Sequence, residues 1–287
     1  VSDFKALFKA AISRRLMSEV PLGIALSGGI DSTSITSVVD DLYQNQTGDV
    51  SSLGKSINTF SAIFPNQINN EEKLIDAALE QLPELTSHKI YPYPEGLIED
   101  LIDFIRTQEE PTISTGAYAE YKIMQTASKH VTVLLEGQGA DELMAGYAGY
   151  GLVYLRELLL KGNIYKALGL AWALRSALSK FVVINLQYRF KIRRKTSPVS
   201  LLSPDINAKY KDEKVKYEKS NLKKLLLQDV FDYSLQALLR YADRNSMRFS
   251  VEARVPFLDT ELVNYIFSLP NSALISSKGM KSILRQS

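Results

Sequence analysis

The chain has 287 residues, 34 Lys and Arg against 32 Asp and Glu for a net charge of +2, 45% apolar residues and no Cys. The missing thiols exclude disulfides, thiolate metal sites, iron–sulfur clusters and a cysteine nucleophile on this chain. The balanced charge gives no general electrostatic reason to expect nucleic acid or an anionic membrane as partner, and the length allows a sizeable core in one large or two smaller domains.

Residues 3–17 place Phe4, Leu7, Phe8, Ala11, Ile12 and Leu16 at spacings of three and four, an amphipathic helix. After Pro21, residues 22–26 read as a short buried strand. A small polar segment (27–33) then leads into a helical pattern at Ile35, Val38, Val39 and Leu42. The polar stretch 44–56 is a surface connection, and a second apolar strand covers 57–63. Helices are expected at about 70–82, around Leu97 to Ile105, and at about 117–128, with a further strand at 131–136. Strands separated by helix-length segments predict an α/β fold with a doubly wound, mostly parallel sheet.

From Tyr150 onward no strand pattern stands out. The remainder reads as all helical, with a polar and basic excursion near 189–218. Its basic run 189–195 reads as a solvated face rather than a nucleic-acid site. The apolar stretch 168–187 is broken by Arg175 and Lys180 and does not read as a membrane span, and residues 1–15 lack a signal peptide's layout. The expected compartment is therefore the cytoplasm. The start on Val1 and the end on Ser287, directly after the helical-looking KSILRQ, predict a piece of a longer protein.

Two segments carry chemistry. The first, Ser27-Gly28-Gly29-Ile30-Asp31-Ser32-Thr33, lies where a strand's carboxyl end meets a helix start, the place where open α/β sheets bind ligands. Its glycines let successive N–H groups converge, and the helix end adds positive potential, so the loop suits phosphate or pyrophosphate. A carboxylate beside phosphate is repelled unless a divalent cation lies between, so Asp31 predicts Mg²⁺. The plainer alternative is a helix N-terminus capped by Asp31 or Ser32. The second segment, Glu136 to Glu142 with Gly146 and Tyr147 beyond, also follows a buried strand. If the two strands are neighbours, Asp31 and Asp141 share one crevice as hard oxygen ligands. Read alone, the segment is an acidic N-cap and a turn.

The ordered set SGGIDST (27–33), EGQGADELMAGY (136–147), LLRYADRNSMRFSVEARVPFLD (238–259) and KGMKSILRQ (278–286), with the entry LMSEVPLGIAL, resembles the synthetase domain of the asparagine synthetase family. That family's nucleotide-binding core belongs to the ATP pyrophosphatases. The resemblance runs from about residue 16 to 286. It implies a single synthetase domain over 1–287, with an α/β nucleotide-binding core at about 13–148 and a helical portion at about 149–287.

The resemblance implies a ligase that uses ATP and Mg²⁺ to convert the side-chain carboxylate of aspartate into an adenylate, releasing pyrophosphate, after which ammonia displaces AMP to give asparagine. Lys281 matches the family's lysine ahead of ILR and is the implied cation for charge developing at the α-phosphate. Without the family it reads as an exposed helix lysine, with Lys278 as its rival. Leu26, with Ser61 and Ala62 on the second strand, is implied to line the adenine and ribose site, while Ser27, Gly28, Gly29, Asp31, Ser32, Glu136 and Gly137 approach the nucleotide. Arg240 and Asp243, with Arg244, sit at i, i+3 and i+4, either to read the charged amino acid or as an intrahelical ion-pair set. The segment from Arg254 to Asp259 reads as mainly structural, ending in a cap at Asp259.

One position departs from the family. Many asparagine synthetases have glutamate where this chain has Gln138, and β-lactam-forming relatives have tyrosine. Gln138 occupies the implied catalytic position yet cannot act as an acid or base. A related amidotransferase or β-lactam-forming synthetase acting on another carboxylate, and a non-catalytic nucleotide-binding module, are the alternative readings. The implied ammonia comes from a glutaminase domain whose cysteine this chain lacks, so the chain by itself is expected to depend on free ammonia. Association into a homodimer is left open.

Overall fold

The computed structural model describes residues 1–65, 70–82, 84–112, 114–175, 179, 203–209 and 217–287. The basic run 189–195 lies wholly, and the expected excursion near 189–218 mostly, outside the described residues. In chain order the elements are α1 (Ser2–Leu16), β1 (Leu22–Ala25), α2 (Ile30–Gln44), β2 (Ile57–Ala62), α3 (Glu72–Gln81), β3 (Leu85–Ile90), α4 (Pro94–Gln108), α5 (Gly116–Ala127), β4 (Val133–Leu135) and α6 (Ala140–Met144). There follow α7 (Ala148–Leu160), α8 (Ile164–Ala173), α9 (Pro204–Lys209), α10 (Leu222–Phe231), α11 (Ser234–Arg248), β5 (Glu252–Arg254), α12 (Thr260–Ser268), α13 (Asn271–Leu274), the strand pair β6 (Ile275–Ser276) and β7 (Gly279–Met280), and α14 (Ser282–Arg285). No helix among the described residues is long and apolar enough to cross a membrane.

The chain forms two compact units. The first comprises Val1–Ala140, Asp232–Ser268 and Leu284–Ser287. It holds a five-stranded parallel sheet in the order β3-β2-β1-β4-β5. The chain winds from β1 outward to β3 and then restarts on β1's other side with β4, so the winding reverses between β1 and β4. Ligands bind outside the carboxyl ends of strands at such a reversal. Ile24 opposite Leu135 sets the register there. Phe60, Met124, Ala127, Leu134 and Val251 pack α5 against the sheet, burying apolar strand residues on that face.

The α/β class agrees with the sequence pattern, but the C-terminal portion is not all helical. β5 completes the sheet, and β6 pairs with β7. β5 is only Glu-Ala-Arg at the sheet's edge, and the other two strands have two residues each, too short for an alternating pattern to register. The apolar stripe of α4 also faces outward: Ile98, Leu101, Ile102 and Ile105 are exposed, while Phe104 enters a cluster with Tyr118, Tyr121 and Tyr241.

Asp259 ties the ends of the first unit's sequence together. Arg14 donates to it through Nε and Nη2 (3.1 and 2.7 Å), Arg15 through Nη1 (2.8 Å), and it caps α12 by accepting the Glu261 N–H (3.1 Å). Burial alone would raise its pKa, but the arginine hydrogen bonds outweigh burial and hold it down at about 2. The structural role expected for this segment is thus an N-cap that also latches α1.

The second unit comprises Asp141–Phe231 and Leu269–Ile283. Its buried Glu157 on α7 accepts from the Leu222 N–H at the start of α10 (3.0 Å), from Asn271 Nδ2 (3.1 Å) and from Lys161 (2.6 Å). A carboxylate at a helix N-terminus complements the helix dipole. Tyr150 adds a second buried tie, donating to Asp229 on α10 (2.7 Å).

Candidate active site

The segment after β1 forms the strand–loop–helix turn the glycines predict. Gly28 adopts φ +75°, and a Cβ there would lie 3.0 to 3.1 Å from Leu74 and the backbone of Ile75, so both conformation and space demand glycine. Neither Asp31 nor Ser32 caps α2. Gly29 is the N-cap residue, without a side-chain cap bond. Ser32 instead bridges the loop: its hydroxyl accepts the Ser27 N–H (3.0 Å) and lies 3.0 Å from the Ser27 hydroxyl, which in turn accepts the Gly29 N–H (3.3 Å). Asp31 sits half-buried in the first turn of α2. The serines brace the loop at the N-terminus of a 15-residue helix, an end whose first N–H groups suit an anion.

The segment after β4 lies beside this loop. The position a Cβ would take at Gly137 is 3.3 Å from Asp31 Cβ and 3.4 Å from the Ser32 nitrogen, so β1 and β4 are the neighbours that the shared-crevice expectation needed. Glu136 is 4% exposed, and Gln138 is half-buried. Gln138 Nε2 reaches toward Glu120 Oε1 on α5 (3.5 Å), and Asn245 Nδ2 on α11 donates to Glu120 Oε2 (3.0 Å) and to the Ala117 carbonyl (2.9 Å). Gln108 Nε2 donates to Asn245 Oδ1 (2.7 Å), closing a buried polar chain. Burial raises the Glu120 carboxyl to about 7 against the hydrogen bonds from Asn245 and Gln138. Burial, reinforced by Glu120, pushes Glu136 well above the ordinary range.

Glu120 was not singled out by sequence, because no motif surrounds it on α5. Asn245 lies inside the ADRNSM segment but was not distinguished from its neighbours. The nucleotide-facing expectations divide in the structure. Leu26 is buried against Ile63 and Ile75, so its side chain belongs to the core and its backbone is what the strand end presents; its carbonyl already accepts the Ser61 hydroxyl (2.6 Å). Ala62 is the half-buried last residue of β2. A cavity of about 920 Å³ runs along α2 past Gly28 and Gly29 to Lys5, Lys9 and Arg285, but Ala62 and Glu136 are not in its walls. It is therefore distinct from the strand-end crevice.

Arg240 and Arg244 do not form the intrahelical set with Asp243. Arg240 donates to the Gln108 carbonyl (3.0 Å) and pairs with Glu110 (3.3 Å), Arg244 pairs with Glu109 (2.8 Å), and Asp243 is exposed. The arginines hold the end of α4, where Glu109 turns left-handed at φ +59°.

In the second unit Lys281 is not an exposed helix lysine. It follows the β6–β7 hairpin, adopts φ +53° and is 6% exposed. Its Nζ lies 2.7 Å from Asp141 Oδ1. A Cβ at Gly146 would overlap the Asp141 carboxylate and Lys281 Cε. A left-handed, buried, charged residue is costly and persists where its surroundings dictate it, a pattern frequent at functional sites. Lys278, the rival, is exposed at the hairpin turn.

Among the described residues no group of three or more His, Asp or Glu gathers to hold a metal. Asp31, in the first unit, and Asp141, in the second, each carry the hard oxygen donors that Mg²⁺ takes. Mg²⁺ is commonly held by one or two carboxylates and completed by substrate phosphates and water.

The family profile described as asparagine synthase matches residues 3–287. Asparagine synthetase [glutamine-hydrolyzing] 1 of Bacillus subtilis is 26% identical over 309 residues, covering 100% of this chain and 46% of the relative. Asparagine synthetase [glutamine-hydrolyzing] 3 of the same organism is 24% identical over 306 residues, covering 100% and 45%. Asparagine synthetase [glutamine-hydrolyzing] 2 of Lotus japonicus is 32% identical over 145 residues, covering 49% and 24%. The chain spans about half the length, or less, of the curated relatives it matches.

Proposed function

Because the chain belongs to the asparagine synthase family, we propose that it is an ATP-dependent ligase that activates the side-chain carboxylate of aspartate as an adenylate and transfers ammonia to it, giving asparagine, AMP and pyrophosphate. The observation that carries this reading is the serine-braced loop 27–33 at the winding reversal of the sheet, with Gly137 seated against Asp31. A carboxylate cannot expel oxide in water. Transfer of AMP onto it creates a leaving group, which requires a pyrophosphate cradle, charge neutralisation and a cation near the α-phosphate.

In this reading the loop N–H groups of 28–32 hold the departing pyrophosphate, with Ser27 and Ser32 keeping the loop in shape. In the first unit Asp31 is a carboxylate for the magnesium of Mg–ATP and the strand-end backbone of Leu26 and Ala62 accommodates the nucleoside; in the second unit the family resemblance implies Asp141 as a metal carboxylate and Lys281 as the cation for the α-phosphate. Mg²⁺ supplies charge neutralisation of the phosphates. The ammonia of the full-length protein would come from a glutaminase domain, and a homodimer in the cytoplasm is consistent with a biosynthetic enzyme of this kind.

Gln138 favours one second reading: a ligase of the same mechanism that amidates a different acid. The test of both is ATP–pyrophosphate exchange with a panel of carboxylic acids. Exchange stimulated by aspartate supports the first reading, exchange stimulated by another acid the second, and nucleotide binding without exchange identifies a non-catalytic module.

A further inference from the structure

Glu120 has no part in the roles assigned above, yet Gln138, the residue after the Gly137 that packs on Asp31, reaches toward it at 3.5 Å. Glu136 leaves β4 into the core with Oε2 buried and without a hydrogen-bond partner. A buried carboxyl oxygen without a partner favours the protonated form, the direction in which burial and the neighbouring Glu120 push Glu136. Glu120 then stays the acceptor of the pair, holding Asn245 Nδ2 on Oε2 and Gln138 Nε2 on Oε1. Glu120 and Gln138 are both only partly buried as residues, while the Glu120 carboxylate itself is held by the two amides. Gly137, between Glu136 and Gln138, packs on Asp31, which puts the network at the carboxyl end of β4.

The ligase chemistry needs a proton acceptor, and the amide of Gln138 cannot serve. When ammonia attacks an acyl-adenylate, the nitrogen lone pair forms the C–N bond and the carbonyl π pair moves to oxygen, leaving the nitrogen positive. One N–H proton must depart before the oxygen pair re-forms the carbonyl and the C–O bond to AMP breaks, with AMP taking that electron pair. We propose that Glu120 accepts this proton, its carboxylate positioned by Gln138 and Asn245 and backed by Glu136. The proposal rests on the ligase reading above. The titratable group facing Glu120 from the β4 end is Glu136; α11 presents the neutral Asn245, and the loop presents the neutral Gln138. Burial places the carboxyl at about 7, close to the optimum for a base at physiological pH.

The test separates the two half-reactions on this chain. Acid-dependent ATP–pyrophosphate exchange reports adenylation alone, and ammonium-dependent amide formation reports both steps. Glu120→Gln keeps the hydrogen-bonding shape and is expected to leave exchange near the wild-type rate, to lower amide formation by roughly 10²-fold, and to abolish the rise of amide kcat with pH through about 7. Glu120→Asp is expected to recover part of the rate together with the pH dependence. Unchanged amide formation with an unchanged pH profile in Glu120→Gln overturns the proposal alone. Loss of exchange in the same variant also overturns it, because Glu120 would then serve the fold or the adenylation step. A wild-type chain that shows no acid-dependent exchange overturns the ligase reading and takes the proposal with it.

Discussion

Lys281 Nζ and Asp141 Oδ1 form a 2.7 Å ion pair packed against Gly146, so the lysine implied for the α-phosphate and the carboxylate expected for the metal are each other's partner in the second unit. The side chains are 8% and 32% exposed. At that burial neither charge is well solvated, and removing one strands the other. Lys281→Ala is expected to lower turnover by roughly 10²- to 10³-fold while nucleotide binding changes little, because a contact made to developing charge acts mainly in the transition state. Lys278→Ala, exposed at the hairpin turn, serves as the silent control. Equal turnover in the two variants would remove Lys281 from the mechanism.

Gly146→Ala tests the packing of that pair. The added methyl has no room beside the carboxylate and Lys281 Cε, and both groups are held by their mutual attraction. The variant should lose thermal stability and turnover together. Wild-type melting and kinetics would show that the pair is looser than its geometry implies.

Asp31→Asn and Asp141→Asn separate a loop role from a paired role. Both should reduce Mg–ATP turnover by roughly 10²- to 10³-fold. Only Asp141→Asn should also destabilise the fold, by about 3 kcal/mol, since it leaves Lys281 buried without its countercharge. Urea unfolding of the two variants checks the difference, and pyrophosphate release unaffected in both would end the metal-carboxylate assignment.

The Glu136–Glu120 pair makes a pH prediction for stability. Their folded pKa values lie above the ordinary value, so the folded state binds more protons than the unfolded chain. Stability is therefore greatest below the ordinary glutamate range and falls as pH rises through about 7 and beyond. Glu136→Gln keeps the donor that Glu120 accepts and removes one buried acid, so its urea midpoint should fall less steeply between pH 5 and pH 8, taken as roughly the span from the ordinary glutamate pKa to above the raised one. Parallel midpoint curves would contradict a buried proton on Glu136.

Asp259 makes the opposite prediction. Its pKa is held at about 2, so its contribution is present above the ordinary aspartate value and fades as pH falls toward 2. Asp259→Asn should cost roughly 1.5–3 kcal/mol at neutral pH, the range for hydrogen bonds to a charged group. The gap from wild type should close in strong acid. A gap that persists at pH below about 2 would mean that Asp259 acts through shape rather than charge.

Much of this protein was determined by sequence because the signals were local. Alternating apolar strands and amphipathic helices gave β1, α2, β2 and β4 close to their observed limits, and the glycines of 27–33 required the turn that Gly28 makes at φ +75°. The family motifs sit on those same local features. What sequence did not determine depends on partners distant along the chain. β5 is a strand only because β4 offers its edge, and three residues carry no period of their own. Lys281 is buried with its ammonium paired to Asp141, 140 positions earlier by number. Asp259 is a latch only because α1 brings two arginines to it. Glu120 has an ordinary helical setting in sequence. Its raised pKa arises when the fold removes water from it, against the hydrogen bonds that lower it, and desolvation is a property of tertiary structure that no window of residues encodes.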